Sequence, residues 1–202
     1  MQTVGLIVAA GMSRRMGSFK PLLPLDGEPL IAHSADVFIR AGIRDVRIVT
    51  GYRAEEIREA LSDRSIRWLH NPDYETTEMF DSAVIAFRNA LDDPKVEAAF
   101  LLPGDMPAVP SAILPELIRK MEETGADLVF PSMEMKRLHP PLLSRACLER
   151  LSHYGGEDGL RGGFRACAWK TEYVLTEDAG CGIDVDTKED YENLLRFRGG
   201  RS

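Results

Sequence analysis

Near its amino terminus the chain reads Val4-Gly5-Leu6-Ile7-Val8-Ala9-Ala10-Gly11-Met12-Ser13-Arg14-Arg15-Met16-Gly17-Ser18-Phe19-Lys20. The first six residues form a continuous apolar run, which is typical of a strand buried on both faces of a parallel sheet. The small residues that follow let the backbone approach a ligand, and N–H groups in such a turn bind phosphate oxygens. Arg15 and Lys20 place positive charge where a triphosphate needs it. The segment therefore predicts a strand and a loop that holds a nucleoside triphosphate.

The glycine spacing of this loop separates it from two common phosphate-binding motifs. Neither GxGxxG nor GxxxxGK(S/T) occurs between Gly11 and Lys20. This disfavours an NAD-dependent oxidoreductase and a P-loop protein, because both need those spacings around their phosphates. The simpler alternative is a strand–turn–helix junction whose basic residues are solvated.

Short apolar runs alternate with amphipathic stretches along the rest of the chain. The pattern predicts helices over Pro29–Ala41, Ala54–Leu61, Met79–Leu91 and Pro110–Thr124, and strands over Val46–Val49, Ile66–Leu69, Ala98–Leu102 and Ala126–Phe130. In the less regular C-terminal third it indicates strands at 139–143, 172–175 and 183–185 and helices at 144–151, 158–165 and 187–197. This alternation predicts an α/β fold with a mostly parallel sheet. We expect a single domain over residues 1–198 and a flexible tail at 199–202.

The composition is that of a globular protein with an acidic balance. The net charge is −7 and the isoelectric point is about 5.2, so the basic surface expected of a nucleic-acid-binding or anionic-membrane-binding protein is missing. The three cysteines, Cys147, Cys167 and Cys181, form neither a CxxC pair nor a zinc pattern. Because the sequence also shows no signal peptide and no apolar run of membrane-spanning length, we expect a cytoplasmic protein with reduced thiols.

Two aspartate-containing loops are candidates for binding a metal. Asp105 follows a predicted strand within Pro103-Gly104-Asp105, and Mg²⁺ is typically held by one or two carboxylates together with substrate phosphates. Asp184 and Asp186 alternate in sequence, so on a strand they would point to the same side. Taken singly, each aspartate is equally consistent with turn chemistry or helix capping. Together they favour a magnesium site.

A polar connection at residues 71–82 and one histidine complete the set of candidates. Asn71, Ser82 and Met79 are placed to contact a base or ribose, although a polar loop with a helix cap would have the same composition. His139 precedes Pro140-Pro141 and is a candidate to line a pocket. No Ser/His/Asp or Cys/His arrangement is present in the pattern, so nothing predicts a protein nucleophile.

Seven segments, spread over nearly the whole chain, match the motifs of one enzyme family in kind and in order. They are residues 6–17 with Lys20, Pro24-Leu25-Asp26-Gly27-Glu28-Pro29-Leu30, Val49-Thr50-Gly51, Asn71-Pro72-Asp73-Tyr74, Gly104-Asp105-Met106-Pro107, His139-Pro140 and Asp184-Val185-Asp186-Thr187-Lys188-Glu189-Asp190-Tyr191. Taken together they resemble the MobA/MocA-like nucleotidyltransferases, and more closely the molybdenum cofactor cytidylyltransferases. The resemblance implies a Rossmann-like three-layer nucleotidyltransferase fold with a mostly parallel central sheet. It also implies a Mg²⁺-dependent reaction that joins CMP from CTP to a phosphorylated acceptor such as molybdopterin and releases pyrophosphate.

The resemblance assigns expected roles to individual residues. The nucleotide-binding set comprises Ala9, Ala10, Gly11, Met12, Ser13, Arg15, Lys20, Thr50, Gly51, Asn71 and Ser82, with Thr50 and Gly51 near the base. The catalytic set comprises Arg15, Lys20 and Asp105. The metal set is Asp105 with Asp186 or Asp184, and the acceptor side comprises Met79 and His139. A transient protein partner would deliver the acceptor or receive the product.

Two departures from the family pattern leave the substrates open. The family branch usually has Gly-Met where this chain has Glu78-Met79, and Gly-His-Pro where it has Leu138-His139-Pro140. A carboxylate at Glu78 would repel a phosphorylated acceptor unless it is paired or turned away. The alternatives are therefore GTP or another NTP in place of CTP, a different phosphorylated alcohol as acceptor, and a non-catalytic nucleotide-binding module with the same fold.

Overall fold

The computed structural model describes residues 1–167 and 170–200. The strands are β1 (Thr3–Ala9), β2 (Pro24–Leu25), β3 (Glu28–Pro29), β4 (Val46–Thr50), β5 (Ile66–His70), β6 (Ala98–Pro103), β7 (Leu128–Met133), β8 (Lys136–Arg137), β9 (Leu142–Ser144) and β10 (Thr171–Leu175). The helices are α1 (Leu30–Arg40), α2 (Ala54–Ala60), α3 (Met79–Leu91), α4 (Ile113–Thr124), α5 (Arg145–Ser152), α6 (Gly159–Cys167) and α7 (Lys188–Gly199). The predicted alternation of helices and strands is confirmed.

Most of these strands form one central sheet, and β2 and β3 form a separate small pair. The order in the central sheet is β10-β7-β9-β6-β1-β4-β5, with β8 paired to β7. The β10–β7, β6–β1, β1–β4 and β4–β5 pairs are parallel, while β9 runs antiparallel to both of its neighbours. The prediction of a mostly parallel sheet is therefore confirmed. The apolar run at the amino terminus is β1, an interior strand between β6 and β4.

Helices cover both faces of the sheet, which gives the expected three layers. Successive side chains of a strand point to opposite faces, and in β1 the side chain of Ile7 packs into the apolar core beneath α1, α2 and α4. The neighbouring Leu6 side chain packs into the opposite core beneath α3, α5 and α6. Both side chains are fully buried. Because each face of β1 is covered, its sequence is apolar from Val4 to Ala9.

The segment at residues 183–185, predicted to be a strand, is not one. A short 3-10 turn at Ala179–Gly182 precedes it, and the chain then crosses the carboxyl edge of the sheet without joining a ladder. The Val185 N–H group instead donates a hydrogen bond to the backbone oxygen of Asp105 at 3.1 Å. Alternation of polar and apolar residues was the only strand signal here, and no strand among residues 1–167 and 170–200 pairs with this segment.

The C-terminal helix extends one residue beyond the predicted domain end. Gly199, expected to lie in a flexible tail, is the last residue of α7. The N–H group of Gly200 donates to the Arg196 carbonyl at 3.1 Å, and this bond closes the final helical turn. Residues 201–202 of the predicted tail lie outside the described residues. In the described part of the chain, none of the helices has the length and apolar character needed to cross a membrane.

Candidate active site

A cleft of about 620 Å³ opens at the carboxyl ends of β1 and β6, the edge at which open α/β sheets bind ligands. Most of the residues predicted from the sequence line it. From the nucleotide-binding set these are Ala9, Ala10, Gly11, Ser13, Arg15, Lys20 and Ser82. From the metal and acceptor sets they are Asp105, Asp184, Asp186, Met79 and His139. The fold therefore brings together side chains that lie far apart in the sequence.

Lys20 lies at the centre of this cleft between two carboxylates. Its Nζ atom is 2.6 Å from Oδ2 of Asp105 and 2.9 Å from Oδ1 of Asp186. The Lys20 side chain is only 14% exposed. Burial by itself would lower the pKa of Lys20, but the charges and hydrogen bonds of the two aspartates outweigh it and raise that pKa above its ordinary value. Lys20 is therefore a charged ammonium group that neutralises both carboxylates.

Arg15 completes the cluster from the solvent side. Its Nη1 atom is 3.0 Å from Oδ2 of Asp186, yet 75% of the side chain is exposed. An exposed ion pair contributes little to stability. A polyanionic ligand can therefore take this guanidinium group from Asp186 at small cost. The neighbouring Arg14, which the sequence did not single out, also lines the cleft.

The backbone of the loop after β1 leaves space for a ligand. An added Cβ atom at Gly11 would meet no atom within 4 Å, so this part of the loop faces the open cleft. Ser13 has a positive φ of 54°, and its hydroxyl oxygen accepts a hydrogen bond from the Lys20 N–H group at 3.1 Å. The carbonyl oxygen of Ser13 accepts a second bond, from the N–H group of Met16. These bonds fold the loop so that Lys20 returns to the strand end.

Asp184 and Asp186 face the same cleft although they are not on a strand. Burial raises the pKa of Asp184, and the charges of Asp105 and Asp186 raise it further, whereas a hydrogen bond to its own backbone lowers it. The helix-capping alternative for this segment applies to Thr187, whose hydroxyl oxygen accepts from the Asp190 N–H group at 3.2 Å. The Asp186 carboxylate therefore remains available to Lys20 and Arg15.

Four predicted nucleotide-binding residues, Met12, Thr50, Gly51 and Asn71, are not part of the cleft lining. The Thr50 side chain is fully buried and its hydroxyl group donates to the Leu69 carbonyl at 3.1 Å. An added Cβ atom at Gly51 would lie 2.5 Å from Cβ of Tyr74. These contacts turn Thr50 and Gly51 toward the protein interior, and a role for them near the base stays a prediction.

Asn71 organises the loop that leads to α3. Its Nδ2 atom lies 2.9 Å from both the Thr77 and the Ser82 hydroxyl oxygens, and its Oδ1 atom accepts from the Asp73 N–H group at 3.0 Å. All the polar atoms of this buried amide are thus used internally. The loop in turn presents Tyr74 and Thr77 to the cleft, and the first turn of α3 presents Ser82; the sequence analysis missed Tyr74 and Thr77.

The strand predicted at 139–143 is shorter than expected: β9 begins only at Leu142, and His139 lies in the connection between β8 and β9. Arg137 pairs with Ser132 and Leu142 pairs with Val129, so residues 138–141 face residues 130–131 across the ladder. The extra residues turn His139 toward the cleft. Burial lowers the pKa of His139 despite the nearby charge of Asp105. Its Nδ1 atom is buried without a hydrogen-bond partner among residues 1–167 and 170–200.

The donor set fits a metal that is bound partly by its substrate. Within the described residues no group of three or more His, Cys, Asp or Glu side chains is arranged to hold a metal ion. However, Asp105 and Asp186 converge on one cation, the Lys20 ammonium group, which stands where a hard cation would be attracted. Two carboxylates suit Mg²⁺ when phosphate oxygens and waters supply the other ligands.

Comparison with known proteins identifies the family. Residues 5–171 match the MobA-like NTP transferase domain family. The chain is 30% identical over 188 residues to the molybdenum cofactor cytidylyltransferase of Escherichia coli K12, covering 92% of each chain. The crystal structure of an Rv0371c homologue from Mycobacterium sp. strain JC1 superposes with a TM-score of 0.81 at 26% identity, covering 100% of this chain and 98% of that one. Rv0371c of Mycobacterium tuberculosis H37Rv in complex with manganese gives 0.73 at 23% identity, covering 97% and 99%. These matches confirm the resemblance inferred from the sequence: the chain belongs to the MobA-like NTP transferase family.

Proposed function

We propose that this protein is a magnesium-dependent nucleotidyltransferase that joins CMP from CTP to a phosphorylated acceptor such as molybdopterin and releases pyrophosphate. The observation that carries this proposal is the position of Lys20 between Asp105 and Asp186, beside a loop with open space at Gly11. A cation, two carboxylates and a small-residue loop at the carboxyl edge of a parallel sheet are the components that bind a metal-bound triphosphate.

Each component has a distinct part in binding. Backbone N–H groups around Gly11 hold phosphate oxygens, and Arg15 and Lys20 neutralise the triphosphate. Asp105 and Asp186 would hold Mg²⁺, which when bound supplies charge stabilisation on the phosphate oxygens. Lys20 leaves the two carboxylates for the phosphates when the nucleotide binds. This exchange keeps every charge paired in both states, and so the cleft does not bury an isolated ion.

The reaction needs no protein nucleophile. An oxygen of the acceptor phosphate forms a new bond to the α-phosphorus, and the bond from that phosphorus to the α,β-bridging oxygen breaks. Pyrophosphate leaves with the electron pair. Because the acceptor phosphate is already an anion, no base has to remove a proton, and the protein contributes by positioning the reactants and neutralising their charge.

The identities of CTP and the acceptor are supported by likeness. The Escherichia coli relative, a molybdenum cofactor cytidylyltransferase, matches this chain over 92% of each sequence. A manganese complex of a protein with the same fold supports a divalent metal. Glu78 lines the cleft but is exposed, so solvent screens its repulsion of an anionic acceptor. Another phosphorylated alcohol is the main alternative acceptor. A non-catalytic module is disfavoured because a binding protein has less need of paired carboxylates.

Pyrophosphate release tests the proposal. The wild-type protein is incubated with Mg²⁺, each of the four NTPs in turn, and a panel of acceptors that includes molybdopterin, 2-C-methylerythritol 4-phosphate and phosphocholine. CTP with one acceptor is expected to give release, and Asp105→Asn is expected to reduce it by about 10²-fold or more. Asp92→Asn, on the exposed far end of α3, is the matched control. Release with no pair would contradict the assignment as an active enzyme.

Three further expectations accompany this function. Residues 1–198 would form one nucleotidyltransferase domain, the protein would work in the cytoplasm, and a transient partner would deliver or receive the molybdenum cofactor. All three stay predictions, and the last one depends on the acceptor found in the panel.

A further inference from the structure

Arg137 is a cation in the cleft that the nucleotide-binding cluster does not use. It is exposed and contributes to the cleft lining. No carboxylate among residues 1–167 and 170–200 forms an ion pair with it, whereas Arg15 and Lys20 both contact Asp186. An unpaired guanidinium group in a ligand cleft can receive an anion without first breaking a protein contact.

Two aromatic rings and one hydroxyl group fix the Arg137 side chain. The Cζ atom lies 4.9 Å from the centre of the Phe130 ring and 5.8 Å from that of Tyr173. Both Nε and Nη2 donate to the Tyr173 hydroxyl oxygen, at 3.1 and 2.9 Å. A guanidinium group has five N–H donors, and the two bonds to Tyr173 use one on Nε and one on Nη2. Nη1 has no hydrogen-bond partner among the described residues, so the edge formed by Nη1 and Nη2 can bind two oxygens of one anion. Little side-chain entropy is then lost when a ligand binds.

The sheet places Arg137 on the opposite side of Asp105 from the triphosphate loop. Across this part of the sheet, β6 lies next to β1, and β9 lies next to β6. Both β8 and β9 pair with β7, at successive positions along it, and so they share one place in the sheet. The triphosphate loop follows β1, Asp105 follows β6, and Arg137 lies in β8 at the same edge. Two strand spacings, about 10 Å, separate β1 from the line of β8 and β9. Cations therefore stand on both sides of the proposed metal-binding carboxylate.

We infer that Arg137 binds the phosphate group of the acceptor, with Tyr173 as a positioning residue that holds the guanidinium group in place. This inference rests on the proposed function and names the residue that recognises its second substrate. The reaction must bring an acceptor phosphate beside a triphosphate, and their repulsion is strong in a partly buried cleft. Arg15 and Lys20 neutralise the nucleotide from the β1 side, and Arg137 neutralises the acceptor from the β8 side.

Binding measurements can test Arg137 without turnover. The protein is saturated with Mg²⁺ and α,β-methylene-CTP, which cannot react, and glycerol 3-phosphate is titrated in by calorimetry as a simple phosphate monoester. Arg137→Gln is expected to weaken glycerol 3-phosphate binding about tenfold or more, while affinity for the CTP analogue changes less than about twofold. Arg137→Lys should restore only part of the loss, and Tyr173→Phe should give a smaller loss in the same direction.

Lys136→Gln is the matched control, because Lys136 is an exposed neighbour on β8 that does not line the cleft. It is expected to bind both ligands as the wild type does. If Arg137→Gln weakens the CTP analogue as much as glycerol 3-phosphate, Arg137 serves the triphosphate and the inference is overturned. Unchanged binding of both ligands, or no glycerol 3-phosphate binding to the wild type, overturns it as well. Absence of pyrophosphate release in the acceptor panel contradicts the proposed function and leaves the binding result for Arg137 to be judged separately.

With an active acceptor in hand, kinetics give a second readout. Arg137→Gln should raise KM for the acceptor at least about tenfold and leave KM for CTP near its wild-type value. A loss confined to kcat, with both KM values unchanged, would contradict a role in acceptor binding.

Discussion

The Lys20 ammonium group lies 2.6 Å from the carboxylate of Asp105, although the two residues are 85 positions apart in the chain. This contact joins the loop after β1 to the loop after β6, and Asp186 adds a third segment at 2.9 Å. The pKa of Lys20 is raised because these partners outweigh the effect of its burial. In the proposed mechanism, Lys20 would therefore compete with a metal ion for the same two carboxylates until a nucleotide draws it away.

Replacing Lys20 should separate metal binding from turnover. In Lys20→Gln the carboxylates of Asp105 and Asp186 lose their internal cation, so Mn²⁺ alone is expected to bind about tenfold more tightly than to the wild type. Turnover is expected to fall by about 10²-fold or more because the triphosphate loses a buried charge partner. Calorimetry with Mn²⁺ and a pyrophosphate assay measure the two effects. Weaker Mn²⁺ binding by this variant would show that Lys20 and the metal do not share ligands.

The two C-terminal aspartates should differ in importance. Asp186 contacts both Lys20 and Arg15, whereas neither basic residue forms an ion pair with Asp184 in the described part of the chain. We expect Asp186→Asn to weaken Mn²⁺ binding in the presence of CTP about tenfold or more, and Asp184→Asn to have a smaller effect. Paired titrations of the two variants measure this difference. A larger loss of Mn²⁺ affinity in Asp184→Asn than in Asp186→Asn would mean that Asp184, not Asp186, is the main metal ligand.

Gly11 offers a test of the phosphate-binding loop. A methyl group at this position would meet no protein atom, so Gly11→Ala should leave the melting temperature of the free protein unchanged. If the triphosphate packs against this backbone, the added methyl group should reduce CTP affinity by about 1–3 kcal/mol. Thermal melting with and without CTP measures both quantities. Gly155→Ala, which also meets no atom within 4 Å and does not line the cleft, should change neither of them.

Gly51→Ala is the contrasting substitution. Its added Cβ atom would lie 2.5 Å from Cβ of Tyr74 and 2.8 Å from the Ala10 carbonyl oxygen, so it must push two loops apart. We therefore expect a lower melting temperature already in the free protein, by the equivalent of about 1–3 kcal/mol. An unchanged melting temperature would mean that the two loops can separate at no cost. The close contact of Gly51 with Tyr74 would then not explain why a glycine occupies this position.

Part of the site could be predicted from the sequence, because the location of those residues depends only on which strand they follow. Lys20 and Asp105 each follow an apolar strand, and the carboxyl ends of neighbouring parallel strands meet at one edge. Asn71 shows the limit of this reasoning. A polar residue at a strand end can face a ligand or brace its own loop, and the Asn71 amide bonds to Thr77 and Ser82. Sequence alone does not reveal which direction the side chain takes.

Other features depend on partners that are distant in the chain. Arg137 is held by Phe130 and Tyr173, from two other strands, and no spacing rule connects these three positions. The error at residues 183–185 has a similar origin, since a strand requires a neighbour as well as an alternating sequence. The unpaired backbone there is used instead to bring Val185 to the carbonyl oxygen of Asp105, which places Asp184 and Asp186 in the cleft.

Arg47 supports the sheet beneath the site through a fully buried side chain. It donates two hydrogen bonds to the carboxylate of Asp45, at 3.0 and 2.6 Å, and one to the Asn89 carbonyl at 2.6 Å. The bonds tie β4 to the end of α3. Arg47→Ala leaves these acceptors unpaired and is expected to lower the free energy of unfolding by about 3–5 kcal/mol, as measured by urea denaturation.

The pH dependence of stability provides an independent check on this pair. The hydrogen bonds and charge of Arg47 hold the pKa of Asp45 below its ordinary value of 3.8, against the opposing effect of burial. A carboxylate with a lowered folded-state pKa stabilises the protein above 3.8 and loses that contribution as the pH falls through the folded value. The difference in unfolding free energy between wild type and Asp45→Asn should therefore be constant near neutral pH and shrink at lower pH. Urea denaturation from about pH 6 to pH 2.5, with Asp92→Asn as the surface control, measures it. A difference that stays constant down to about pH 2.5 would mean that Arg47 does not hold Asp45 in its charged form.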